Sequence, residues 1–289
     1  MTFKDALPDQ TGRTVVVTGA SSGIGAVTAR ELARAGARVV LAVRDLAKGE
    51  RVARTIPGAV ETRRLDLADL GSVAMFADAL DGPIDVLVNN AGVMAVPRSR
   101  TTDGFETQIG TNHLGHLALT NRLLPQVTDR VVTVSSGAHR LGSIDLDDLS
   151  WERRAYSPWK AYGQSKLANL LFTLELENRL RASGSAVRAF AAHPGYAATN
   201  LQSQTGNRLQ HAALALANKV VAVSDEDGAR PTLFAAVRDL PGASYVGPDG
   251  VAQTGPPTLV GRSSAASDPD VATALWTLSE ELTGTSYPL

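Results

Sequence analysis

Residues 13–25 read Arg-Thr-Val-Val-Val-Thr-Gly-Ala-Ser-Ser-Gly-Ile-Gly. A short β-branched run, 13–18, ends in a glycine-rich turn, and helical spacing of apolar residues starts at once over 24–35. A strand without clean in/out alternation, followed by a helix, belongs to a parallel sheet covered on both faces. Glycines in such a turn let the backbone bend tightly and approach a pyrophosphate. The helix that opens there points its free amides and its dipole at the anion. The spacing is Gly-x-x-x-Gly-x-Gly, not the Gly-x-Gly-x-x-Gly of the commonest dinucleotide fingerprint. A glycine-rich turn of an ordinary α/β protein is the plain alternative.

The alternation continues to the other end of the chain. Strand candidates recur at 38–43 (RVVLAV), 60–65, 84–89 (IDVLVN), 130–135 (RVVTVS), 187–192 and 244–246. Helical spacing covers 45–55, 70–80, 104–127, 159–182 and 225–240. The expected fold is a single doubly wound, Rossmann-type α/β domain over residues 1–289, with helices on both faces and right-handed crossovers. No repeat of solenoid length and no dividing linker interrupts it. Irregular segments rich in Gly, Pro and Ser fall at 137–158, 194–209 and 245–267. The first two follow the C-terminal ends of strands, where open α/β sheets bind ligands.

Composition narrows the function classes. The 289 residues carry a formal net charge of −1 and no cysteine. Near-zero charge gives no broad field for nucleic acid or an anionic membrane. Without cysteine there is no disulfide, thiolate metal site or Cys nucleophile. Residues 1–12 are polar and mixed in charge, unlike a secretory signal, and no apolar window of about 18 residues appears. A cytoplasmic protein without a membrane anchor is the expectation. His113 and His116 lie close together but lack a partnering carboxylate pattern, so no metal site is expected. No Gly-x-Ser-x-Gly elbow supports a hydrolase triad.

Other residues carry chemistry at strand ends. Val43-Arg44-Asp45 closes the second strand. Val43 stands where an acid would bind the ribose 2′-hydroxyl of NAD, and Arg44 suits the 2′-phosphate of NADP. A solvated Arg44 and an N-cap role for Asp45 are the bland readings. Asp66, in Leu65-Asp66-Leu67, suits an adenine amino group or a helix cap. Asn89-Asn90-Ala91-Gly92 offers small residues at a sheet edge, or an ordinary Asn-rich turn. Ser135 and Ser136 end the fifth strand, where a hydroxyl can bond a substrate carbonyl. Asn112 is unfavourable inside a helix and suits a bound water, a bend, or a polar core residue with a local hydrogen bond. Tyr162 and Lys166 stand four apart on one helix face, where the ammonium should lower the phenol's pKa from about 10.

Taken together, TGASSGIG, NNAG, the helix Asn, VSS, YGQSK and His193-Pro194-Gly195 with Thr199 resemble the short-chain dehydrogenase/reductase family. The resemblance runs from about Arg13 to Pro288. GARVVLAVRDLAKGE, TNHLGHLALT, AYGQSKLANLLFTLEL and the tail 275–284 are similar to its retinol-dehydrogenase-like branch, which includes the WW-domain oxidoreductase. It implies about seven parallel strands and an NADP(H)-dependent oxidoreductase of the carbonyl reductase or alcohol dehydrogenase type. Tyr162 would be the acid and base, and Lys166 would bind the nicotinamide ribose and depress the Tyr162 pKa. Ser136 would orient the reacting oxygen, and Asn112 would hold a water linking Lys166 to solvent. The cofactor would meet Gly19, Ser21, Ser22, Gly23, Ile24 and Gly25. It would also meet Arg44, Asp66, Leu67, Asn90, Ala91, Gly92, Tyr162, Lys166, Pro194, Gly195 and Thr199.

Three other readings use the same features. One is a non-catalytic nucleotide-binding regulator or scaffold on this fold. Another is a sugar-nucleotide epimerase, which needs a larger C-terminal domain. The last is a reductase of a pigment-like ring. Leu141, Trp151, Tyr156, Trp159 and Tyr196 suit either an apolar substrate pocket or loop packing. The resemblance also implies a homo-oligomer, since many members of the family pair through the two long helices, here 104–127 and 159–182. Leu167, Leu170, Leu171, Leu174 and Leu180 on the second are more apolar surface than one sheet face needs.

Overall fold

The computed structural model describes residues 7–195, 224–250 and 255–289. Eight strands form one sheet in the order β3-β2-β1-β4-β5-β6-β7-β8. β1 (Thr14–Thr18), β2 (Arg38–Val43), β3 (Val60–Arg64), β4 (Ile84–Asn89), β5 (Val127–Val134), β6 (Arg188–Ala192) and β7 (Tyr245–Pro248) run parallel. β8 (Pro257–Leu259) closes the edge antiparallel to β7. All seven expected strands are present. β8 lies in a segment expected to be irregular, since three residues beginning with proline carry no strand pattern. It exists because β7 offers a free edge, with Val246 opposite Leu259. β5 starts at Val127, inside the expected helix 104–127. Val127 pairs with Ile84 across a register shift that absorbs the polar Thr128 and Asp129.

The chain direction across the sheet reverses at β1, whose neighbours are β2 and β4. The connections leaving Thr18 and Asn89 therefore diverge and open a crevice at the C-terminal edge. Val15 and Val17 face one layer, with α1 (Gly23–Arg34) and α6 (Asp225–Val237). Val16 faces the other, with α3 (Leu70–Asp78), α4 (residues 107–123) and α5 (Pro158–Ala182). α2 (Leu46–Ala53) opens on Asp45, whose carboxylate accepts from Lys48 N, so the N-cap reading of Asp45 holds.

α4 is continuous but not uniform. An α turn, Thr107–Ile109, passes into a π turn, Gly110–Leu114, and then into α-helix, Gly115–Leu123. It begins later than expected because the Glu106 carboxylate accepts from Gln108 N and Ile109 N and caps it there. It ends in a 3-10 turn at Leu124–Gln126, where Pro125 cannot donate.

A last helix, α7 (Pro269–Thr283), was expected only as a tail resemblance. Asp268 caps it, and Gly284 in the left-handed region at φ 62° stops it. Trp276 stacks on Phe172 of α5 at 5.4 Å, and Ala272 and Leu275 pack with Leu167, Leu170 and Leu171. α7 thus buries the α5 leucines that suggested pairing between copies. Leu180 is also buried, beside Trp276, and Leu174 is half-buried. Among the described residues no helix is long and apolar enough to cross a membrane.

Candidate active site

A cavity of about 1040 Å³ opens at the C-terminal edge of the sheet, over the crevice. Gly19, Ser21, Ser22, Gly23, Ile24 and Gly25 form its floor at the start of α1. The Ser22 side chain makes no capping bond, so it does not satisfy the free amides of this helix end. Gly19 sits at φ 67°, and a Cβ there would lie 2.8 Å from Ala91 Cα. This close approach holds the turn against the Asn90–Gly92 loop. Thr18 binds the same loop: its hydroxyl accepts from Asn90 N and Ala91 N, and its carbonyl accepts from Asn90 Nδ2.

Arg44 and Asp66 line the far end with Leu67. Asp66 does not cap α3. Its Oδ1 accepts from Ala68 N, and Asp69 is the cap. Lys48, in the first turn of α2, lines the same end as Arg44 and was missed in the sequence. Local spacing did not show it, because Arg44 lies in the bend after β2 and only the turn into α2 brings the two cations to the same end. Among the described residues neither cation is ion-paired with an acid. These residues fit a phosphorylated dinucleotide: small residues at the floor, an uncapped helix end, and two cations at the rim.

The opposite end holds Ser136, Tyr162 and Lys166. Ser135 and Ser136 follow β5 and divide their tasks. The buried Ser135 hydroxyl donates to the Lys166 carbonyl at 2.7 Å and fixes α5 to the strand end. Ser136 opens a 3-10 turn, Gly137–Leu141, where its hydroxyl accepts from Ala138 N and stands near enough to the Tyr162 phenol to lower its pKa. Two glycines bring these elements together. A Cβ on Gly163 would lie 2.8 Å from Ala138 O and from Gly142 N, and one on Gly142 would lie 2.3 Å from Gly163 C. Backbone meets backbone there, so Tyr162 stands against the turn that carries Ser136.

The expected electrostatics of Tyr162 are corrected. Burial pushes its phenol up to about 12, with the neighbouring Ser136 hydroxyl pulling it back. Lys166 is pushed down to about 8 by burial. Its ammonium lies 5.7 Å from the Tyr162 ring centroid and donates to Val134 O at 3.0 Å, not to the phenol. Desolvation disfavours the phenolate more than a charge at that position favours it.

Asn112 follows the reading as a hydrogen-bonded core residue rather than the water-holding one. It is fully buried in the π turn and does not line the cavity. Its Oδ1 accepts from Val93 N, and its Nδ2 donates to Val93 O and to Ser165 Oγ. The side-chain amide therefore has no donor left for a water. It ties the loop after Gly92 to α5 one residue before Lys166.

Pro194 and Gly195 line the cavity, and Gly195 N donates to His193 Nδ1. Thr199 and Tyr196 lie outside the described residues. Of the loop apolar residues, Leu141 and Trp159 line the cavity with Val93 and Met94. Trp151 and Tyr156 instead pack edge-to-face at 5.8 Å, and Tyr156 donates to Val96 O.

The pattern that matches residues 13–210 is that of the short chain dehydrogenases. The chain belongs to the short chain dehydrogenase family. It is 43% identical to human retinol dehydrogenase 13, over 96% of this chain and 86% of that protein. Such relatives place it in the retinol-dehydrogenase-like branch. A crystal structure of an uncharacterised protein from Mycobacterium paratuberculosis is 59% identical, with a TM-score of 0.87 over 98% of this chain and 97% of that one. A Beutenbergia cavernae chain named as an NAD(P)-dependent gluconate 5-dehydrogenase, solved with NADP bound at low occupancy, is 28% identical. Its TM-score is 0.61 over 78% of this chain and 90% of that one. The protein is an oxidoreductase of this family.

Proposed function

We propose that this dehydrogenase transfers a hydride between NADP(H) and an apolar alcohol or its aldehyde or ketone, with Tyr162 as acid and base. The observation that carries the reading is one cavity holding Ser136 and Tyr162 at its inner end and, at its outer end, Arg44 and Lys48, which pair with no acid among the described residues. The nicotinamide cofactor, when bound, supplies or accepts the hydride. Ser136 orients the substrate oxygen through its hydroxyl. In reduction the Tyr162 phenol gives that oxygen a proton, and in oxidation it takes the proton back. With the phenol at about 12 in the protein alone, a second positive charge beside it favours phenolate and moves it toward neutral pH. Lys166 keeps one positive charge within reach below the ring.

Arg44 and Lys48 support NADP(H) over NAD(H). A hydrogen bond to a charged group is worth about 1.5–3 kcal/mol, or one to two decades of affinity. Val93, Met94, Leu141 and Trp159 support an apolar substrate, as does the name of the human relative.

The test follows nicotinamide absorbance with both cofactors and a panel of retinoid, straight-chain and aromatic alcohols and carbonyls. Turnover with NADP(H) and an apolar substrate is expected, and Arg44→Asp should reverse the cofactor preference. Equal Michaelis constants for the two cofactors would reject the NADP(H) assignment. NADPH binding with no turnover on any substrate would favour the non-catalytic reading.

A further inference from the structure

His116 has no part in the reading above, yet two hydrogen-bond networks of the cavity meet on its ring. It is buried in α4, one helical turn after Asn112. Its Nδ1 lies 3.0 Å from the Asn112 backbone carbonyl, and its Nε2 lies 2.9 Å from Thr18 Oγ1. A carbonyl only accepts, so Nδ1 carries the proton. Burial pushes the ring's pKa down to about 4 and holds it neutral, and the Lys166 charge adds to this. Nε2 therefore keeps its lone pair and accepts the Thr18 hydroxyl proton. The Val88 carbonyl, at 3.3 Å, is the longer alternative for that proton. Both lone pairs of the hydroxyl are already taken by Asn90 N and Ala91 N, each at 2.9 Å. One proton and two lone pairs meet three partners, so the group is saturated.

We propose that His116 is a positioning residue for hydride transfer, which holds the cofactor turn, the 89–93 loop and the Asn112 turn in one register against Tyr162 and Lys166. The connections run without a gap. Thr18 ends β1 directly before Gly19, and Asn90, Ala91 and Gly92 line the cavity. Asn112 bonds Val93 at the end of that loop and Ser165 on α5, beside Lys166. A Cβ on Gly92 would lie 3.0 Å from Asn112 Oδ1 and 3.5 Å from Lys166 Nζ, so the loop rests directly on both. The π turn widens the helix here, with Gly115 N reaching back to Gly110 O. His116 fixes this widened turn to the sheet. Imidazole suits the task because it donates from one edge and accepts at the other. An Asn side chain reaches only the near partner and a Gln only the far one.

The inference rests on the proposed hydride transfer, and its test separates the two. In protein labelled with ¹⁵N-histidine, long-range proton–nitrogen spectra should show His116 as the neutral Nδ1–H tautomer, its signal assigned by its loss in His116→Gln. His116→Leu should lower kcat roughly tenfold or more, as misplacement of reacting groups does. KM for the alcohol should stay within about twofold and the NADPH dissociation constant within about threefold, because no ligand contact is removed. His116→Asn, which keeps the Asn112 contact, should recover part of kcat, and His116→Gln should recover less. These two variants also decide the matter if His116→Leu does not fold. An Nε2–H or protonated ring, an unchanged kcat in His116→Leu, or kcat losses that simply track melting temperature across the three variants would overturn the proposal. Absence of turnover in the unsubstituted protein would count against the hydride-transfer reading, while the tautomer still tests the network.

Discussion

Tyr162 and Lys166 are a pair whose values in the protein alone do not suit neutral acid–base work, at about 12 and about 8. If Tyr162 is the proton donor, Tyr162→Phe removes the hydroxyl and keeps the ring packing. Turnover should fall by about 10²–10⁴-fold, the usual worth of general acid–base catalysis. NADPH affinity, read by fluorescence titration, should change little. Retention of more than about a tenth of normal turnover would contradict the assignment. Lys48 makes a second residue-scale case. Lys48→Ala should weaken NADPH binding by roughly tenfold and leave NADH binding nearly unchanged, if both cations meet the 2′-phosphate. Equal effects on the two cofactors would place Lys48 outside that contact.

At the scale of elements, the site depends on how closely α5 approaches the turn that carries Ser136. Gly163 lies directly after Tyr162, and its missing Cβ leaves space for Ala138 O and Gly142 N. Gly163→Ala must push the turn and helix apart, since both neighbours are backbone and cannot rotate away. Such overpacking costs about 1–3 kcal/mol. Separation of Ser136 from Tyr162 should also lower kcat more than it weakens NADPH binding. Urea denaturation and steady-state kinetics on the same preparation would show both effects. A variant of unchanged stability and turnover would mean that the two segments yield easily.

For the whole molecule, α7 completes the core rather than trailing from it. Trp276 stacks on Phe172, and the Arg179 guanidinium lies over the Trp276 ring, 4.9 Å from its centroid. Trp276→Ala should destabilise the protein by about 3–5 kcal/mol, the usual cost of removing a buried aromatic, as read from the denaturant midpoint. Acid should act on the whole fold too. Burial pushes His113 down to about 3 and His116 and His193 down to about 4, from 6.5. Below about 6.5 the unfolded chain binds protons at these rings and the folded chain does not. Their stabilising effect is therefore full above that pH and is lost as pH falls toward 4 to 3. Each ring contributes up to about 1.4 kcal/mol per pH unit in that window. Urea midpoints at pH 7.5, 6 and 5 should fall in that order. A flat profile would mean that these rings are protonated in the folded protein.

Local pattern was enough for the seven parallel strands: most are apolar runs bounded by polar or glycine-rich turns, as burial on both faces demands, while the edge strand β3 is polar and partly exposed. It was also enough to bring Gly19, Arg44, Asp66, Asn90, Ser136, Tyr162 and Lys166 to one cavity, since all sit at strand ends or on one helix face. Other features depend on contacts between distant segments, which no local spacing encodes. β8 forms only because β7 leaves an edge open. Asn112 faces Val93 and Ser165 rather than water, and the Tyr162 pKa rises because the assembled cavity desolvates it. The α5 leucines read as a surface for a second copy until α7, a hundred residues later, covers them. Sequence determines which faces are apolar and which side chains stand at strand ends; only the folded chain decides what covers each face and how far each group is removed from solvent.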